Sequence, residues 1–450
     1  MVKVRVTWFS IVVLFAVLTV IGILAMRRFE THSNPVLVSR EVEPELLTFD
    51  RPRHSVSRKV VPAIDPEVAG EEDSIELEPE PLNPSSVESL KRKLVRTGAW
   101  ENEGLLTFRD AHSLSEFLAL AKAAGVEITG PFGDALTLRA RFGSLDDLSR
   151  LLQSFEGEPP LVDPNFFVSI PRVQEPSASA AGDGHTPFGD LLFKSLGIPE
   201  QTDRSTWGKG VVVAVVDSGI SDHPTFREGQ VKRIDLVGEE VPMHGHGTAM
   251  GSLIAGNADT APGMAPGASL LDIRIAGEEG LSDSFLLAQG IQTAIDQGAD
   301  IVNISLGTYG DSPLVRAVTE AALKQGIVVV APVGNEMMPV KAWPAAYPGV
   351  VSVSGVDAED RLAYFSNSGG PTLAAPAVGI ISAYTLDHQP MIAKGQGTSQ
   401  ASALVSGVMA QLKSRGLDPV RAVTSNTRPI RGNTSAFGVG ILHLPASAVR

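Results

Sequence analysis

The chain has 450 residues, with 37 Lys+Arg against 51 Asp+Glu, a formal charge of −14 and no cysteine. The missing cysteines exclude disulfides, thiolate metal sites and cysteine catalysis, and the acidic balance argues against a basic nucleic-acid-binding surface, so no nucleic-acid partner is expected. An apolar share of 43% with 20% charged residues is that of globular proteins, which excludes disorder throughout, and the length allows about three units.

The averages hide a segregated chain. Val6 to Met26 is a run of 21 residues without a charge, with Lys3 and Arg5 before it and Arg27 and Arg28 after it. A helix of that length spans about 30 Å, the thickness of a bilayer's hydrocarbon core. Ala25 followed by Met26 and Arg27 is a poor cleavage site. Residues 1–30 therefore read as a transmembrane helix or signal anchor, with membrane contact through residues 6–26. A single-pass protein with its large part outside the cytoplasm is expected; a cleaved leader would make it secreted. Residues 31–103 read as an acidic, Pro-rich, disordered stalk. Between Val60 and Leu90 there are nine carboxylates and no Lys or Arg, so the rest of the chain carries only −5.

Periodicity returns at Leu105. A strand over Leu105–Arg109 leads to Ser113-x-x-Glu116, a capping-box pattern opening a helix to about Ala124. Val126–Thr129 and Ala135–Arg141 read as strands around a Gly130–Gly133 turn. A helix after Ser144 and a strand over Asp163–Ile170 close the set. The order β-α-β-β-α-β over residues 104–170 is that of a small α+β, ferredoxin-like unit. Residues 171–187, rich in Pro, Ser, Ala and Gly, read as a flexible junction.

From residue 188 to 450 the pattern is α/β. The apolar runs Val211–Val216, Leu270–Ile275, Ile301–Ile304, Ile327–Ala331 and Val350–Val353 read as buried strands. Helices are expected at Thr248–Ala255, Ser284–Gln297 and Pro313–Gln325. Continuous apolar strands alternating with helices imply a parallel sheet covered on both faces, with ligands at the carboxyl ends of its strands.

Four segments there carry polar groups where chemistry can occur. Val215-Val216-Asp217-Ser218-Gly219 puts a carboxylate at the end of an apolar strand, where it needs a donor or caps the next turn. His244-Gly245-His246-Gly247-Thr248 presents imidazole at a helix start; no His-Glu-x-x-His pattern accompanies it, so no metal site is expected. Val330-Ala331-Pro332-Val333-Gly334-Asn335 places an amide just after a strand, as an oxyanion donor or a turn residue. Gly395-Gln396-Gly397-Thr398-Ser399-Gln400-Ala401 sets a hydroxyl at a helix N-terminus, where free N–H groups favour negative charge and where Ser and Thr also serve as plain caps.

Together and in this order, Asp217, His246, Asn335 and Ser399 resemble the subtilisin-like serine peptidases, the subtilases, whose chain order of triad residues is Asp, His, Ser. Met264-Ala265-Pro266-Gly267, Asp300-Ile301-Val302-Asn303-Ile304-Ser305-Leu306-Gly307, Trp343-Pro344-Ala345-Ala346-Tyr347-Pro348 and Tyr364-Phe365-Ser366-Asn367 also fall in family order. The resemblance implies a subtilisin-like fold and a serine endopeptidase with Ser399 as nucleophile, His246 as base and Asp217 as its orienting carboxylate. Asn335 would join the oxyanion hole. Ser305, Leu306 and Gly307 would pair with an extended polypeptide substrate, and Val333 and Gly334 would line the first specificity pocket. No cofactor is required; structural calcium is a family habit that no residue here can be assigned to. The βαββαβ unit is similar in position to the family's propeptides, which makes this chain's own N-terminal unit an expected partner and self-processing an expected step.

Two departures stand out. Gln400 and Ala403 replace the Met and Pro that usually follow the nucleophile, and Pro332 and Val333 are bulkier than the family's usual Ala and Gly, so modest side chains before the scissile bond are expected. The competing reading is a catalytically silent, subtilase-like binding protein with a permanent N-terminal interaction domain. A generic α/β esterase lacks its Gly-x-Ser-x-Gly elbow here.

Overall fold

A computed structural model describes residues 98–132, 136–173, 185–238, 240–430, 435–444 and 449. The expected span at residues 6–26 and most of the expected stalk lie outside the described residues. Among the described residues no helix is long and apolar enough to cross a membrane.

The first elements are β1 (Ala99–Thr107), α1 (Ala111–Ala123), β2 (Glu127–Phe132), β3 (Thr137–Arg141), α2 (Leu145–Ser154) and β4 (Leu161–Ser169). Their strands form an antiparallel sheet in the order β2-β3-β1-β4. Among the described residues the first strand thus starts at Ala99, five residues before the boundary expected at residue 104. The reason is Trp100, which is buried and meets Phe167 edge-on at 5.4 Å. An irregularity between Ala99 and Gly104 breaks the alternation that would have marked the strand. A second correction concerns α1, whose cap is Asp110 and not Ser113: the Asp110 carboxylate accepts from the Ser113 N–H at 2.8 Å. Ser144 caps α2 as the sequence implies, accepting from the Asp147 N–H at 3.2 Å. Phe117, Leu148, Leu106, Leu138 and Ala140 are fully buried between these helices and the sheet, each large apolar side chain contributing about 1.5–3 kcal/mol.

The remainder comprises a short turn of helix α3 (Leu192–Ser195), then β5 (Val212–Asp217), β6 (Val231–Asp235), α4 (His246–Ala255), β7 (Ser269–Arg274) and β8 (Leu281–Asp283). After these come α5 (Ser284–Asp296), β9 (Ile301–Ile304), α6 (Pro313–Lys324), β10 (Val328–Pro332), β11 (Val351–Val356) and β12 (Leu373–Pro376). The chain continues through the hairpin β13 (Ile380–Leu386) and β14 (Gln389–Gly395) to α7 (Thr398–Ser414) and α8 (Pro419–Ser425). Seven strands form one parallel sheet in the order β12-β11-β10-β9-β5-β7-β6. Side chains of α4 and α7 share one apolar cluster with alternate strand residues such as Val213, Val215 and Val330. Those of α5 and α6 share the other with Ala214, Val216 and Val329. The sheet is therefore apolar on both faces, as its continuous hydrophobic runs require.

The two parts are joined by a strand. β8 adds to the edge of the first sheet, with Val168 opposite Ser282 and Ser169 opposite Leu281. Arg139 reaches the Asp283 carboxylate at 2.8 Å. Asn165 accepts from the Ser284 hydroxyl at 3.0 Å and the Phe285 N–H at 3.2 Å at the start of α5. The junction expected to be flexible over 171–187 is held at both described ends. His185 pairs with Asp357 at 2.9 Å, and Ala358 donates to the Thr186 carbonyl at 2.8 Å. At the other end Pro171 accepts from Asn335, as described below. Residues 174–184 lie outside the described ones.

Candidate active site

The carboxyl ends of β5, β9 and β10 meet the N-termini of α4 and α7. β5 delivers Asp217, which is wholly buried. Its Oδ1 accepts from the Ser218 N–H at 2.7 Å, and its two oxygens lie 2.9 and 3.0 Å from His246 Nδ1. A carboxylate only accepts, so Nδ1 carries the hydrogen and Nε2 is left as the basic nitrogen. Ser218 ties the pair together: its hydroxyl lies 3.1 Å from Asp217 Oδ1 and 2.8 Å from the His244 carbonyl, and it accepts from the Gly247 N–H at 3.1 Å. Glycine is needed here. A Cβ on Gly247 would stand 2.5 Å from the Gly219 carbonyl, and Gly219 itself has φ +95°.

Ser399 is the second residue of α7 and is 2% exposed. Its hydroxyl donates to the Ser305 carbonyl at 3.2 Å and makes no hydrogen bond to His246. Asn335 follows β10. Its Oδ1 accepts from the Thr398 N–H at 3.0 Å and the Thr398 hydroxyl at 2.8 Å, which fixes the amide's orientation and leaves Nδ2 to donate to the Pro171 carbonyl at 3.0 Å. Gly397, at φ +146°, allows this approach, since a Cβ there would sit 3.2 Å from Asn335 Nδ2. Gln400 lies over the two glycines before the helix: Cβ atoms on Gly395 and Gly397 would meet its amide at 2.7 and 2.8 Å.

The expected substrate-pairing segment is occupied by the chain itself. Ser169 and Gly307 exchange both backbone hydrogen bonds, at 3.1 and 3.0 Å, and Ile170 donates to the Gly280 carbonyl at 3.0 Å. Gly307 thus meets the tail through its backbone, the Ser305 carbonyl accepts from Ser399 instead, and the Leu306 side chain is buried in the apolar cluster that also holds Val168. Val333 and Gly334 make no hydrogen bond to the tail; their carbonyls accept from Asn367 at 2.9 and 3.1 Å.

Three residues behind Asn335 are not among the expected site residues, although Asn367 ends the family-order segment Tyr364-Phe365-Ser366-Asn367. Glu336 accepts from the Asn335 N–H at 2.7 Å and from the Tyr309 hydroxyl, and Asn367 accepts from the Glu336 and Met338 N–H groups at 3.1 and 2.9 Å. This clamp holds the loop that aims Asn335. Burial, with the Glu336 charge beside it, pushes the Tyr309 phenol well above its usual range. Among the described residues no group of His, Asp and Glu side chains is arranged to hold a metal ion.

His223 and His244 have defined partners. His223 Nδ1 accepts from the Thr225 N–H at 3.1 Å and Nε2 faces the Met391 carbonyl at 3.2 Å. His244 Nδ1 accepts from the His246 N–H at 3.1 Å, holding the start of α4. Burial, then the His246 ring and the Arg172 charge, lower His244 from 6.5 to about 4 against the pull of Asp217. Unfolded, this imidazole binds a proton near pH 6.5; folded, it stays neutral to about 4. The unfolded chain thus binds more protons in that window, and stability falls as pH drops through it, by up to about 3 kcal/mol. Urea unfolding of the Ser399→Ala chain between pH 4 and 6.5 is expected to show this slope, and His244→Asn to flatten it. An unchanged slope in His244→Asn would contradict the assignment.

A model of the subtilase family matches residues 208–438. The chain is 32% identical over 289 residues to the thermostable alkaline protease of Halalkalibacterium halodurans, across 62% of this chain and 77% of the relative. It is 33% identical over 256 residues to the minor extracellular protease Epr of Bacillus subtilis, across 54% of this chain but 39% of Epr. The crystal structure of fervidolysin from Fervidobacterium pennivorans, a keratinolytic enzyme related to subtilisin, superposes with a TM-score of 0.64 at 24% identity. The match covers 78% of this chain and 61% of fervidolysin, a likeness of fold. The chain thus spans 39% of Epr and 61% of fervidolysin, less than two thirds of each.

Proposed function

Since the chain belongs to the subtilase family, we propose that it is a serine endopeptidase that hydrolyses extended polypeptides through an acyl-enzyme on Ser399. What supports this above all is the path of the chain's own tail, which runs antiparallel to Gly307 and brings the Pro171 carbonyl onto Asn335 Nδ2 at 3.0 Å. A carbonyl polarised by the asparagine that Thr398 holds at the start of the Ser399 helix is set for nucleophilic attack. In the proposed reaction the Ser399 hydroxyl turns from Ser305 to His246 Nε2, gives up its proton and attacks. Asp217 keeps the Nδ1 hydrogen in place and stabilises the imidazolium. Asn335 Nδ2 and the Ser399 N–H take the oxyanion's charge, and His246 hands the proton to the leaving amine. Water then releases the acyl group by the same steps reversed. The chemistry needs side chains and water only.

Asn335→Leu is expected to lower kcat by about 10²–10³-fold with KM little changed, the size known for an oxyanion-hole asparagine in subtilisin itself. A fall in kcat/KM carried by KM instead would remove Asn335 from that role.

We read the βαββαβ unit as a ferredoxin-like propeptide that inhibits the peptidase until cut, and residues 6–26 as the anchor holding the enzyme outside the cytoplasmic membrane on its acidic stalk. Wild type and Ser399→Ala expressed side by side test the first part. The account expects a cut near residues 171–187 in wild type only; identical full-length products would sink self-processing. A mature N-terminus just after residue 26 would replace the anchor by a cleaved leader. A silent binding protein finds no supporting observation, since every residue of the reaction is present.

A further inference from the structure

Building on the serine-peptidase reading above, we infer that the bond offered to Ser399 is Pro171–Arg172, and that Pro171 makes it slow to cut, so that the tail restrains its own enzyme. Ser169 and Gly307 form a hydrogen-bonded pair of an antiparallel ladder. Such pairs recur at every second residue. The next one toward the reaction centre sets residue 171 against Ser305, and a residue with an N–H there would donate to the Ser305 carbonyl. Proline has no N–H to give.

That carbonyl belongs to a fully buried residue, and the donor that reaches it is the Ser399 hydroxyl, at 3.2 Å. A buried carbonyl left without a donor is costly. Turning the hydroxyl toward His246 therefore means stripping Ser305 of its partner whenever proline holds this place. The carbonyl to be attacked is polarised by Asn335, yet the nucleophile's proton is held by Ser305 and not by the imidazole. An amino acid with an N–H at 171 would satisfy Ser305 itself and release Ser399. The leaving side is retained as well: Val173 packs against the apolar cluster that contains α7, which keeps the new amine close after cleavage.

The step is ordinary hydrolysis. The Ser399 Oγ bonds to the Pro171 carbonyl carbon, the bond to the Arg172 nitrogen breaks, and the hydroxyl proton passes through His246 to that nitrogen. Water then splits the ester, leaving a Pro171 carboxylate and a restored Ser399 hydroxyl. Pro171 acts as a positioning residue, through the hydrogen bond it withholds.

The test follows the appearance of an N-terminus at Arg172 in the full chain, comparing wild type, Pro171→Ala and Ser399→Ala. The expected result is slow cutting at this bond in wild type, cutting roughly tenfold faster in Pro171→Ala, and none in Ser399→Ala. A second arm is independent of how the variant folds. The processed enzyme is given the peptides Val-Ser-Ile-Pro-Arg-Val and Val-Ser-Ile-Ala-Arg-Val, and the alanine peptide should show a similar gain in kcat with a much smaller change in KM. Equal rates for the two chains or equal kcat for the two peptides would overturn the inference, as would a first cut at any other bond. Cutting in Ser399→Ala, or no hydrolysis of either peptide with Ser399 unreactive, would instead overturn the peptidase reading beneath it.

Discussion

Ser399→Ala is expected to lower kcat by about a million-fold, and His246→Ala by a similar factor, while KM stays nearly unchanged; losses of this size are known for such changes in subtilisin itself. On the proposed reading a substrate takes the place of the chain's own tail on the backbone of Gly307 and Gly280, and neither of these bonds to the Ser399 hydroxyl. Removing that hydroxyl takes away the attacking oxygen and its bond to the Ser305 carbonyl, and leaves the backbone that holds the substrate in place. The double variant should lose little more than either single one, because base and nucleophile work as one unit. Steady-state kinetics on a protein substrate and an active-site titration check this together. A Ser399→Ala protein within tenfold of wild type would mean that another group attacks.

Asp217→Asn is expected to lower kcat near neutral pH by about 10⁴-fold with the fold intact, the loss found for the equivalent change in a serine peptidase of unrelated fold. The reason lies in the partners of the carboxylate. Oδ1 accepts from the Ser218 N–H at 2.7 Å, so an amide's oxygen would remain on that side. Its NH₂ would then face His246 Nδ1, which lies 3.0 Å from Oδ2. The ring would accept there and carry its hydrogen on Nε2, the tautomer that cannot take the serine proton. The loss should appear in kcat, with an unfolding midpoint close to wild type. A kcat within tenfold of wild type would show that Asp217 does not set the tautomer.

The central sheet is legible in the sequence because each of its inner strands is buried on both faces, so Val212–Asp217, Ile301–Ile304 and Val328–Pro332 stand out as apolar runs. β6 escapes the same reading. It is an edge strand, and Lys232 and Arg233 on it are exposed. The β13–β14 hairpin is hidden for another reason. Its turn puts Asp387 and His388 at φ 48° and 61°, a conformation that Asn-Gly usually announces, and Pro390 interrupts the alternation of the second strand.

At the site, Asp217 and Asn335 are visible because each follows an apolar run, His246 and Ser399 because each opens a helix after a glycine-containing segment, and the order of the four points to one family. What aims them is not visible. Thr398 orients Asn335 from 63 residues away, and Tyr309, Glu336 and Asn367 meet only when three loops fold together. Thr398 and Asn367 lie in segments that fall in family order, yet nothing local says that they hold Asn335, and Tyr309 and Glu336 read as ordinary loop residues. The occupation of the cleft by residues 168–171 is likewise a matter of tertiary contact, since that stretch reads only as the end of a strand and a proline-marked junction.

The most direct test of the account is covalent labelling of the purified protein with a fluorophosphonate, with the modified residue located by mass spectrometry. The account predicts one adduct, on Ser399, abolished in His246→Ala, and forming faster once the N-terminal unit has been cut away. A processed, folded wild-type protein that takes up no label, or takes it up elsewhere, would contradict it.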